Sequence, residues 1–162
     1  MRSLVPTPKV MAVSSGGGHW AELLRLRPAW EGADVVYVVT QSSYRSDLTR
    51  GGKDTRHVHG FFTVPDANKT QKLRLFMLAI KMALLVIWVR PDVVLSTGAA
   101  PGYFAIRVGK WLGARTVWVD SIANADEMSL AGMLAKPHAD LWLSQWPDLS
   151  ESAGATYAGA VM

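Results

Sequence analysis

Cysteine is absent from the 162-residue chain, so neither a disulfide framework nor a thiolate metal site can form, and a cytosolic setting fits. Any metal would have to be held by His19, His57, His59 or His138. His57 and His59 stand two apart, on one face of an extended segment, but no third ligand is evident beside them, so the stretch reads as a solvated strand. Familiar loops are missing too. No G-x-G-x-x-G spacing, no Gly-Lys-Ser/Thr ending of a Walker loop and no G-x-S-x-G elbow is present, which disfavours dinucleotide binding, P-loop chemistry and serine hydrolysis. Without a recognition-helix pattern, zinc finger or aromatic RNA-binding signature, nucleic acid is not expected as a partner.

Long uninterrupted apolar runs are also lacking. The strongest, Leu73 to Val89, is broken by Arg74 and Lys81 and falls short of the ~20 residues that a membrane span needs. Pro6 and Pro8 interrupt the opening segment before it can become a signal peptide. Acidic residues are missing between Lys69 and Arg90, so this basic helix either lies on an anionic bilayer or packs on a sheet with one basic edge exposed.

Enough apolar residues remain, 49% of the total, for one well-buried domain over residues 1–162. A formal charge of +4 suits an anionic membrane surface or a phosphorylated ligand. Short β-branched runs alternate with helical stretches, the pattern of a Rossmann-like α/β fold with a parallel sheet and helices on both faces. Six strands are expected, near Lys9 to Val13, Asp34 to Thr40, Thr55 to Val58, Asp92 to Ser96, Arg115 to Val119 and Asp140 to Ser144. Helices are expected at Trp20 to Trp30, Leu73 to Val89, Tyr103 to Leu112 and Ser129 to Ala135. Ser42 to Gly52 reads as a mobile connection or short helix, and the tail after Pro147 as weakly patterned.

The stretch from Lys9 to His19 carries the most information. An apolar run breaks into Ser14, Ser15, Gly16, Gly17, Gly18 and His19 before helical sequence begins. Consecutive glycines let backbone approach a ligand, and the unpaired N–H groups of a first helical turn favour phosphate or diphosphate oxygen; a plain tight turn would look the same. Polar residues also follow the other strands: Thr40 and Gln41, Ser96 to Gly98, Asp120 and Ser121, and Ser144 and Gln145. In an open parallel sheet, ligands bind beyond these carboxyl ends. His19 could remove a proton from a hydroxyl nucleophile or bond to diphosphate, and Asp120 could accept from a sugar hydroxyl or cap a helix. Trp146, beside Pro147, offers a ring to a partner or a sugar face.

The ordered set SSGGGHW at 14 to 20, PDVVLSTGAAPG at 91 to 102, VDSIAN at 119 to 124, MSLAGMLAKPHAD at 128 to 140 and QWPDL at 145 to 149 resembles the asparagine-linked glycosylation protein fourteen family, including PssD-type exopolysaccharide subunits. More remotely it is similar to the N-terminal half of the peptidoglycan lipid-intermediate N-acetylglucosaminyltransferase. The resemblance implies the acceptor half of a GT-B glycosyltransferase split between two polypeptides. Such a subunit binds a lipid-diphosphate-linked glycan, sits peripherally on the cytoplasmic face of the plasma (inner) membrane and recruits a separate donor-binding subunit that holds the UDP-sugar. It would be inactive alone, and no cofactor is implied. By the family pattern, Ser14, Ser15, Gly16 to Gly18 and His19 face the acceptor diphosphate and the reaction centre, with Thr97, Gly98, Asp120 and Ser121 lining the same cleft. Glutamate is frequent in the family where Asp120 stands, and eukaryotic members open with a membrane-spanning helix, so anchoring is expected here from the basic helix, the partner or another membrane protein. The competing expectation is a non-catalytic membrane scaffold that recruits a catalytic partner.

Overall fold

Seven parallel strands among the described residues form one sheet at the centre of the molecule. The computed structural model describes residues 6–50 and 55–161. The opening residues 1–5, and Gly51 and Gly52 at the end of the polar connection, therefore lie outside the described residues. The strands are β1 Lys9–Val13, β2 Asp34–Val39, β3 Val58–Thr63, β4 Val93–Ser96, β5 Arg115–Val119, β6 Leu141–Ser144 and β7 Thr156–Tyr157, side by side in the order β3-β2-β1-β4-β5-β6-β7. The helices are α1 Gly18–Arg25, α2 Arg45–Thr49, α3 Lys72–Val89, α4 Ala99–Trp111, α5 Leu130–Ala135 and α6 Pro147–Ala153.

The period-two direction of strand side chains sorts the core into two layers. Met11, Val13, Val36 and Val38 point into the layer closed by α3, α4, α5 and α6. Val10, Ala12, Val35, Tyr37 and Val39 point into the other, where Trp20 and Leu23 of α1, Trp30 and Leu48 meet them. The central strands are covered on both sides, which is why they read as continuous apolar runs.

Four sequence expectations shift. The first helix becomes regular α-helix only to Arg25 and continues as a 3-10 turn, Arg27–Trp30, because Pro28 has no N–H to give the ladder. The third strand runs Val58–Thr63 instead of Thr55 to Val58. Gly60 obscured it: a side chain there would lie 2.7 Å from the Phe62 ring, and the pairing with β2 shifts register between Val35 and Val36. Helix α4 starts at Ala99, since Pro101 is tolerated in a first turn. The tail forms α6 and β7, so the sheet gains a seventh strand. Pro147 at the helix start and Gly154 at φ 70° after its end are the stop and start signals that mark it.

Candidate functional site

Strands β1 and β4 are neighbours although two strands and three α-helices separate them in sequence, and the strand order reverses between them. The loops leaving their carboxyl ends are hydrogen-bonded to each other, at the position where this topology binds ligands. From β1 comes the glycine loop. Gly17 adopts φ 67° and ψ −131°, which a residue with Cβ avoids, and α1 begins at Gly18 without any side-chain cap or acidic residue in its first turn. The N-cap glycine has no side chain with which to satisfy the leading amides of the helix. Open space lies where side chains at Gly17 and Gly18 would project. Ser14, directly before the loop, is 0% exposed and its hydroxyl has no partner.

His19 joins this loop to the one after β4. Its Nδ1 lies 2.8 Å from the Thr97 carbonyl oxygen, and the Thr97 hydroxyl donates back to the His19 carbonyl at 2.7 Å. A carbonyl can only accept, so Nδ1 carries the hydrogen and Nε2 of the neutral ring is the basic nitrogen. Gly98 lets the ring sit there. Its φ is 139°, and a Cβ would stand 2.5 Å from His19 Cε1. Thr97 and Gly98 are both buried and hold the histidine in place.

Asp120 and Ser121 follow β5, but their side chains are turned to internal partners. The Asp120 carboxylate, 1% exposed, accepts from Trp118 Nε1 (2.9 Å), Ser129 Oγ (2.5 Å), Ser129 N (2.8 Å) and Asn124 Nδ2 (3.1 Å). Four donors on two oxygens leave it no open approach, and it fastens the loop between β5 and α5. Ser121 Oγ donates to Glu22 Oε1 at 2.9 Å, and Ile122 N donates to the same oxygen at 3.1 Å. Gln145 Nε2 holds the Asp120 carbonyl at 2.9 Å, while its Oε1 accepts from Val161 N at 2.8 Å. Trp146 donates its indole N–H to the Ile122 carbonyl at 2.8 Å.

Glu22 and Tyr44 escaped the sequence reading. Glu22 is 3% exposed, one turn on from His19 in α1, with Oε2 lacking any partner. An acidic residue between the apolar Trp20 and Leu23 is the signal that would have found it. Tyr44 takes the Gly17 amide on its hydroxyl at 2.8 Å, from within the stretch expected to be a mobile connection or short helix, whose described part forms a 3-10 turn and α2.

Elsewhere, His57 and His59 do have a third group beside them, Asp34, at 3.6 and 2.9 Å. Among the described residues no group of three or more His, Cys, Asp or Glu can hold a metal ion. A cavity of about 520 Å³ opens near the amino ends of β2 and β3, lined by Leu24, Trp30, Val35, Tyr37, His57 and Val58, and shares no residue with the glycine loop.

Helix α3 forms a second surface of note. Leu78, Met82, Val86 and Val89 are buried on the sheet, whereas Leu73, Phe76, Met77, Ile80, Leu84, Ile87 and Trp88 are exposed, Leu73 by 73% and Trp88 by 72%. At about 100° per residue the exposed seven share roughly a third of the circumference, opposite the buried stripe. The helix is thus packed on the sheet, and its exposed side is apolar at the centre with the cations Lys72, Arg74 and Lys81 along its edges. No helix among the described residues is long and apolar enough to cross a membrane.

Comparison with known proteins agrees with this fold. MurG of Acinetobacter baumannii superposes with a TM-score of 0.68 at 12% identity, over 96% of this chain and 44% of that one. A Listeria monocytogenes protein described as a putative UDP-N-acetylglucosamine 2-epimerase gives 0.69 at 12% identity, over 94% and 43%. At such identity the likeness is one of fold, a GT-B-like Rossmann half, and the chain spans less than half the length of these solved proteins. Relatives named UDP-N-acetylglucosamine transferase subunit ALG14 match at 29% identity in Rattus norvegicus, over 93% of this chain and 83% of that one, and at 25% in Yarrowia lipolytica, over 89% and 76%. Residues 10–161 match the family model for oligosaccharide biosynthesis proteins like Alg14, and the chain belongs to that family.

Proposed function

We propose that the chain is the acceptor-binding, membrane-contacting subunit of an inverting two-component glycosyltransferase, which moves a sugar from a UDP donor to a polyprenyl-diphosphate-linked glycan in polysaccharide or oligosaccharide biosynthesis. One observation carries the reading: the start of α1, which has no side-chain cap, and His19, whose Nδ1 is held by the Thr97 carbonyl, stand together at the β1/β4 reversal. The amides, with the partial positive charge of the α1 N-terminus, hold the acceptor diphosphate. His19 Nε2 takes the proton of the acceptor hydroxyl as that oxygen bonds to the anomeric carbon, and the bond from that carbon to the UDP oxygen breaks. Thr97 and Gly98 position the base; Asp120 and Ser121 position the loop that closes the site on the α5 side. The subunit names of the relatives support a separate donor-binding partner that holds the UDP-sugar. The apolar face of α3, flanked by cations, supports peripheral attachment to an anionic bilayer at its cytoplasmic face.

The test mixes the purified chain with its donor-binding partner, a UDP-sugar and a prenyl-diphosphate acceptor. Transfer is expected only in the mixture, and His19→Ala should slow it by about 100-fold to 10,000-fold with partner binding intact. Full activity from the chain alone rejects the two-component reading, and an unchanged rate for the variant favours the scaffold.

A further inference from the structure

Tyr44 ends the 3-10 turn Ser42–Tyr44 that follows β2, and it reaches across to the glycine loop. Its hydroxyl accepts the Gly17 N–H at 2.8 Å. Its ring is stacked on Trp20, with centroids 5.3 Å apart and planes at 28°, and the Trp20 indole is itself held by Asp47 Oδ2 at 3.0 Å. Glycine at position 16 permits this approach, because a Cβ there would lie 2.9 Å from the Tyr44 oxygen and 3.1 Å from Gln41 Nε2.

A phenol has one hydrogen to give, and accepting from Gly17 leaves that hydrogen available. It meets no acceptor among the described residues. A hydroxyl that accepts one bond becomes a stronger donor of the next. The ground before Gly17 and Gly18 is open, and the enclosed, unpartnered Ser14 hydroxyl lies at the foot of the same loop. A side-chain donor held by ring stacking thus stands beside the main-chain donors of the glycine loop.

We propose that Tyr44 is a direct ligand of the diphosphate, its phenol donating to a phosphate oxygen while passing on the polarisation of the Gly17 amide. This rests on the reading of the glycine loop as a diphosphate site. The shared chemistry is a diphosphate ester, carried either by a prenyl lipid or by a free nucleotide.

The test titrates the full chain and its Tyr44→Phe variant with inorganic diphosphate, farnesyl diphosphate and UDP, following phosphorus resonances. Phenylalanine keeps the stacking on Trp20, so the melting temperature should not move. The variant is expected to bind inorganic diphosphate and farnesyl diphosphate about tenfold more weakly, the effect of losing one hydrogen bond to a charged oxygen. Tighter wild-type binding of farnesyl diphosphate than of UDP assigns the site to the lipid, and the reverse order assigns it to the nucleotide. Equal or tighter binding by the variant overturns the proposal, tighter binding marking Tyr44 as a plug. If the wild type binds none of the three, the diphosphate reading falls along with it; if only the variant effect is missing, the role of Tyr44 alone falls.

Discussion

His19 owes its orientation to a residue with no side chain. Gly98 leaves room for the imidazole while the Thr97 carbonyl fixes its tautomer, so Gly98→Ala drives a methyl group to 2.5 Å from the ring and strains a backbone at φ 139°. Reconstituted transfer by that variant should fall at least about 100-fold in kcat, because a displaced base loses its near-attack geometry. Asp120→Asn presents an amide N–H₂ to a site filled by four donors, and should lower stability in urea by about 3 kcal/mol. An unchanged midpoint would show that the carboxylate does not hold the loop. At this scale the glycines and His19 were legible because backbone freedom and imidazole chemistry are local properties. Glu22 and Tyr44 were not, since the contact from Glu22 to Ser121 spans 99 residues and that from Tyr44 to Gly17 spans 27. The enclosure of Asp120 likewise depends on Ser129, which only the folded loop brings near.

Helix α3 is apolar around most of its circumference, a composition that sheet packing alone does not require. Leu84→Glu, on the exposed side, should cut co-sedimentation with anionic vesicles about tenfold while leaving the melting temperature unchanged. Equal sedimentation of variant and wild type would show that α3 does not meet the bilayer. At the other end of the sheet, Lys110 is hydrogen-bonded to Asp140, whose second oxygen takes Thr116 N at 2.9 Å. The Lys110 hydrogen bond, followed by that from Thr116, holds the Asp140 carboxyl below its ordinary value. A depressed carboxyl stabilises the fold above its unfolded pKa, and that contribution is lost as pH falls through the folded one. Asp140→Asn should therefore cost about 1 kcal/mol at pH 7 and next to nothing at the acid end, as parallel thermal melts across pH would show. Long elements such as α3 and β2 were legible from their apolar patterns. Strand β3 was hidden by Gly60, and β7, two residues long, has no room for a pattern at all.

At the scale of the whole molecule, the reversal of strand order between β1 and β4 places the glycine loop and the loop bearing Thr97 and Gly98 side by side. The alternation of strands and helices made the α/β class readable, and carboxyl-end polarity pointed to the rim of the sheet that carries the proposed site. Which loops touch was not readable, because strand order is set by packing that sequence neighbours do not reveal. The topology separates the proposed site from the cavity near the amino ends of β2 and β3, and that separation gives the most direct measurement. Backbone amide resonances of the full chain should be followed while farnesyl diphosphate is added. Gly17, Gly18 and His19 are predicted to shift in a saturable manner, with Gly32 and Val58 beside the cavity unmoved. Shifts confined to the cavity, or none at the glycine loop, would contradict the diphosphate site on which the account stands.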